Sequence, residues 1–135
     1  MQEVIDDAEV KAADVDVVAY CQGKIYYELL AAREENGLKN IALVRVEQLY
    51  PLPQKQLDAT VKKYKNAKKH LWVQEEPENM GAWMHMLRNY RTVPLDCISR
   101  PASASPASGS PERSKKRQNH IIEQVFSHAG KVTAS

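Results

Sequence analysis

Two cysteines, Cys21 and Cys97, are all the thiols in this 135-residue chain. They stand far apart in apolar runs, with no Cys-x-x-Cys and no Cys/His ligand spacing. That excludes a disulfide framework and fits a reducing, intracellular setting. No apolar run reaches the ~20 residues needed to cross a bilayer. The acidic start lacks the basic and hydrophobic regions of a secretion signal. The four histidines, His70, His85, His120 and His128, have no metal-ligand spacing, and no Gly-x-Ser-x-Gly elbow marks a serine nucleophile. No internal sequence repeat is present.

What the chain does have is enough apolar material, 43% of its residues, for one core that buries roughly two thirds of the unfolded surface. Its net charge of +2 hides an uneven distribution. Glu3, Asp6, Asp7, Glu9, Asp14 and Asp16 face only Lys11, whereas the basic excess lies in Lys62 to Lys69 and Arg113 to Arg117. We divide the chain into an acidic lead-in at 1–15, one α/β domain at 16–128, and a tail at 129–135 expected to be disordered.

Within the domain, short apolar runs alternate with helical periods. Residues 16–21, 41–46, 69–74 and 95–99 read as strands. Ile25, Leu29 and Ala32 repeat at helical spacing before an Asn36-Gly37 stop. Pro53 opens a helix carrying Leu57, Val61 and Tyr64 on one face. Asn79 is expected to cap a helix in which Trp83, Met86, Leu87 and Tyr90 point to the core. Ser110 and Pro111 read as the start of a last helix, buried through Ile121, Ile122, Val125 and Phe126. Four strand–helix alternations predict a three-layer α/β sandwich around a mostly parallel sheet, with one edge strand free to run antiparallel.

Three stretches invite chemical readings. Gln74 to Trp83 falls where the third predicted strand ends, the edge at which open α/β sheets bind ligands. Its carboxylates precede a proline and an asparagine, so Glu75, Glu76, Asn79 and Trp83 read as capping or contact residues rather than an acid/base pair. Lys62, Lys63, Lys65, Lys68 and Lys69 have one interleaved aromatic, Tyr64, which continues the buried stripe. The run reads as a solvated helix end, not a nucleic-acid surface. The third stretch, Arg100 to Gly109, is built of small residues and prolines and leads into a helix whose free N–H groups can receive an anion. Arg100, Ser103, Ser105, Ser110, Arg113, Lys116 and Arg117 form a candidate anion or acyl-CoA site. The competing reading has Arg100 paired internally and Lys115 to Arg117 on a solvated face.

Taken together, Glu3 to Asp7, Gly23 to Tyr27, Val44 to Pro51, Gln74 to Trp83 and Arg100 to Gly109 resemble, in order and spacing, one family. It is the extreme C-terminus of the thiamine diphosphate-dependent decarboxylating component of the 2-oxoglutarate dehydrogenase complex. The resemblance implies a transketolase C-terminal-like domain that packs on the thiamine-binding domains and helps form a homodimer. It implies a parent enzyme that decarboxylates 2-oxoglutarate and passes the succinyl group to a lipoyl arm of the acyltransferase component. Thiamine diphosphate and magnesium are its cofactors, held by a Gly-Asp-Gly to Asn-Asn segment that this chain lacks. The chain is therefore expected to be an excised, inactive domain with no catalytic residue of its own.

Some relatives bind acetyl-CoA at this domain, but here Ser114 stands where many have histidine, and Glu112 where some have lysine. A cytoplasmic setting in a bacterium is implied, or the mitochondrial matrix in a eukaryote, with the bacterial one favoured. Neither a nucleic acid nor a membrane is expected as a partner. Two alternatives remain, a free-standing acyl-CoA or nucleotide-phosphate binding module and the same domain of a 2-oxoadipate dehydrogenase.

Overall fold

β-branched and aliphatic residues dominate the runs that become the central strands, because such side chains pack well on a pleated surface covered from both sides. The computed structural model describes residues 4–7, 9–49, 52–77, 79–90, 92–100 and 120–128. Its strands are β1 (Val4–Ile5), β2 (Val17–Cys21), β3 (Ile41–Val46), β4 (Lys69–Pro77) and β5 (Asp96–Arg100). Its helices are α1 (Lys24–Asn36), α2 (Gln54–Lys63) and α3 (Trp83–Asn89), with a further helical stretch at 120–127.

The sheet order is β1-β3-β2-β4-β5. β2 pairs in parallel with both β3 and β4, β4 pairs in parallel with β5, and β1 runs antiparallel along the outer edge of β3. The mostly parallel sheet expected from the alternation is therefore present, with its one antiparallel pair at an edge.

Period-two alternation sorts the core into two clusters. Val17, Ala19 and Cys21 of β2 face α1 and the 120–127 helix, meeting Ile25, Leu29, Ile121, Val125 and Phe126. Val18 and Tyr20 face the other way, toward Leu57 and Tyr64 beside α2 and Trp83, Met86 and Tyr90 in and after α3. Helices thus cover both faces and make the three layers. Each large side chain buried this way contributes about 1.5–3 kcal/mol. Among the described residues no helix is long and apolar enough to cross a membrane.

α1 ends where Asn36-Gly37 predicts. Gly37 takes the left-handed conformation, with φ +65, and its N–H reaches the Glu34 carbonyl while the Leu38 N–H reaches that of Arg33. This is a Schellman closure, which a residue with a Cβ would strain.

Three expectations change. Asn79 does not cap α3: the helix starts at Trp83 behind Ala82, with no side-chain cap, and Asn79 lies in the preceding turn. Leu87 is 49% exposed, because α3 rests on the sheet only through Trp83 and Met86, and a short helix buries a narrow stripe. Residues 1–15, read as a lead-in, supply the edge strand β1 and a buried carboxylate. Asp7 pairs with Arg33 of α1 and accepts the Leu43 N–H at 2.9 Å. The 129–135 tail and the start of the last helix at Ser110 and Pro111 lie outside the described residues.

Candidate functional site at the carboxyl edge of the sheet

From β2 the chain moves outward to β3, then returns past β2 to β4, so the strand order reverses between β2 and β4. The crevice beyond the carboxyl ends of two such strands is where open α/β sheets take their ligands. A cavity of about 280 Å³ lies there, lined by Gln22 after β2, by Leu49, by Trp72 and Glu76 of β4, and by Gly81 and Ala82.

Gln74 builds one wall. On a strand, Trp72 and Gln74 share a face, and the Trp72 indole N–H donates to Gln74 Oε1 at 2.9 Å. The same oxygen accepts the Trp83 backbone N–H at 2.9 Å, at the first turn of α3. Gln74 Nε2 donates to the carbonyls of Glu76, Pro77 and Met80 at 3.1, 2.9 and 2.8 Å. One buried amide thus ties the strand, the turn and the helix start together, which makes the turn a fixed shape. Gly81, at φ +68, lets the turn close. A Cβ there would stand 3.1 Å from Glu76 Oε1 and 3.3 Å from Gln74 Oε1.

The opposite wall is held by His85, whose Nε2 lies 2.7 Å from the Leu49 carbonyl. Asn89 Nδ2 stands 3.1 Å from Nδ1 of the same ring and fits as its donor. Near the end of β3, Arg45 lies over Tyr26 and Tyr27 at 4.9 and 5.3 Å and pairs with Glu47 at 2.9 Å.

Of the predicted contact residues, Glu76 is exposed on the crevice wall, Glu75 is half-buried, and Asn79 is exposed in the turn. Trp83 is buried, so it shapes the surface from beneath. Arg100 ends β5 opposite Pro77, which brings its backbone to this same edge. Ser103, Ser105, Ser110, Arg113, Lys116 and Arg117 lie outside the described residues. Sequence reasoning missed the roles of Gln74 and Arg45. The signal for Gln74 was a polar residue in phase with Trp72 at the end of an apolar strand.

Other reactive groups are put to structural use. Burial pushes the Cys21 thiol far up, which removes its nucleophilic form. Tyr20 shares a hydrogen bond of 3.0 Å with His70 Nδ1, and burial holds the His70 pKa below its ordinary value. In the lysine run, Lys63 pairs with Asp6, and Lys69 with Asp96 at 2.6 Å. Burial alone would raise the Asp6 pKa, but hydrogen bonds from Lys63, Tyr64 and the Asp7 backbone outweigh it and keep the carboxylate ionised.

The sequence family described as 2-oxoglutarate dehydrogenase C-terminal matches residues 1–126, which take in every strand of the sheet. The chain belongs to that family. As a 2-oxoglutarate dehydrogenase C-terminal domain it is 40% identical over 126 residues to the 2-oxoglutarate dehydrogenase E1 component of Cupriavidus necator, covering 90% of this chain and 13% of that protein. The E1 component of Haemophilus influenzae is 39% identical over 128 residues, covering 91% and 14%. A 2-oxoadipate dehydrogenase complex component E1 of Danio rerio is 40% identical over 129 residues, covering 92% and 14%. The C-terminal domain described here therefore spans about one seventh of the length of these relatives.

Proposed function

We propose that this chain serves as the C-terminal assembly domain of a 2-oxoglutarate dehydrogenase E1 subunit. In that reading the whole subunit decarboxylates 2-oxoglutarate on thiamine diphosphate and passes a succinyl group to the lipoyl-bearing acyltransferase of a multienzyme complex. One observation carries it: the family match runs through all five strands and both sides of the carboxyl-edge crevice. The second subunit of a homodimer and the other domains of the same subunit are the partners this implies, with Glu75, Glu76 and Asn79 as candidate contacts over a buried Trp83.

This chain's residues do not fit the cofactor. Among the described residues no three His, Cys, Asp or Glu side chains converge as a metal site, and the sequence has no Gly-Asp-Gly segment. Thiamine diphosphate and magnesium are assigned to the remainder of the subunit, and no catalytic residue to this domain. Supplying the chain to an E1 subunit deprived of its own C-terminal segment tests the reading through the assembly and decarboxylation it restores.

A second reading, the same domain in a 2-oxoadipate enzyme, is favoured by the 40% identity to the Danio rerio protein. For acetyl-CoA, the candidate contact is the segment from Arg100 to Arg117, supported by its sequence and by the arrival of β5 at the crevice edge. Calorimetric titration with acetyl-CoA tests it.

A further inference from the structure

β1 pairs with β3 over two residues only, and beyond them side chains take over the outer edge of the sheet. Val4 stands opposite Val46 and Ile5 opposite Arg45, so the same register would place residue 7 opposite Leu43. The Asn40 carbonyl accepts from the Val17 N–H of β2, and by alternation the backbone groups of Ile41 and Leu43 point the other way, to the outer edge. There the Leu43 N–H donates to Asp7 Oδ2 at 2.9 Å, and the Ile41 carbonyl accepts from Arg33 Nη1 at 3.0 Å. Asp7 and Arg33 pair with each other and are both buried, and Glu9 joins Arg33 at 3.1 Å.

We infer that the outer edge of β3 is a self-pairing surface, which the Asp7–Arg33 pair keeps closed against a second copy of this chain. The two guarded groups select that partner. Antiparallel strands exchange N–H and C=O groups between facing residues, so a donor at 43 and an acceptor at 41 are self-complementary. With two copies related by a two-fold axis at Ala42, the Leu43 N–H of each meets the Ile41 carbonyl of the other, and one patch serves both sides of the contact.

The strand is suited to pairing in other respects. Ile41 to Val44 is a buried, apolar run without proline or charge, the kind of edge that templates addition of another strand unless something blunts it. Here the blunting is done by a charge pair that occupies the ladder positions themselves. Losing the pair frees the stretch after Asp6 to lift from the edge, while β1 keeps its own two residues of pairing.

The test uses the full chain. Asp7→Ala/Arg33→Leu removes both charges together, so no buried charge is left uncompensated, and Leu29→Ala, a core truncation on the same helix, controls for instability alone. In sedimentation the double variant should form a pair of whatever species the unsubstituted chain forms at the same concentration, and Leu29→Ala should not. In hydrogen exchange its Leu43 amide should be about tenfold less protected when dilute, and protection should return as concentration rises. An unchanged association state, equal association in Leu29→Ala, or a Leu43 amide indifferent to concentration would overturn the inference. Should the double variant not fold, the unsubstituted chain in sub-denaturing urea decides. Leu43 should then exchange ahead of Ala42 and Val44, whose amides face β2, with a lead that shrinks as concentration rises; a lead independent of concentration would overturn the inference. The assembly-domain reading rests on the family match and stands under every one of these outcomes.

Discussion

Arg33 sits on the buried face of α1, where a helical period calls for an apolar side chain, and its guanidinium is shared among Asp7, the Ile41 carbonyl at 3.0 Å and Glu9 at 3.1 Å. Removing one member of a buried pair leaves the other charge uncompensated, so Asp7→Ala should destabilise the fold by about 3 kcal/mol or more in chemical denaturation. Had the acidic start been a loose lead-in, the change would be near neutral. Nothing in the sequence pairs an acid at position 7 with an arginine at 33, since the contact depends on β1 folding back along β3. His70 offers a second residue-scale prediction. Burial depresses its pKa in the fold, so the native state binds fewer protons than the unfolded chain near the ordinary histidine pKa of 6.5. The stability linked to the neutral ring is present above about pH 6.5 and falls as pH drops toward the depressed value. The slope of Tm against pH just below about pH 6.5 should flatten in His70→Gln, and an unchanged slope would assign it to other groups.

At the scale of elements, the strands were legible because both faces of a parallel sheet are covered, which leaves near-continuous apolar runs such as Ile41 to Val44. The stop of α1 was legible because Asn36-Gly37 carries its own mechanism. The start of α3 was not, because its organiser is not a local cap. Gln74, nine residues before Trp83, receives the Trp83 N–H in place of a capping side chain. Gln74→Leu removes all five of its hydrogen bonds while keeping comparable volume. It should cost about 2–3 kcal/mol, because several buried groups lose their partner. In hydrogen exchange, the Trp72 indole and the Trp83 amide should lose protection while β2 and β3 keep theirs. Uniform loss across the sheet would contradict a local role for this amide.

For the molecule as a whole, the sequence showed a strand end but not the shape of the edge on which it lies. The stretch from Gln74 to Trp83 was placed at a strand end, but the crevice also needs Gln22 and Leu49, which only the reversal of strand order brings to it. The function proposed for this edge is to hold a larger catalyst together, not to perform a reaction of its own. The most direct measurement is thiamine-dependent decarboxylation of 2-oxoglutarate by an E1 subunit that lacks its C-terminal segment, with this chain supplied in its place. The chain should restore both stable assembly and activity, with 2-oxoglutarate turned over in preference to 2-oxoadipate when the catalytic part is a 2-oxoglutarate enzyme's. A folded chain that leaves the truncated subunit unassembled and inactive, where the subunit's own segment rescues it, would contradict the assembly role.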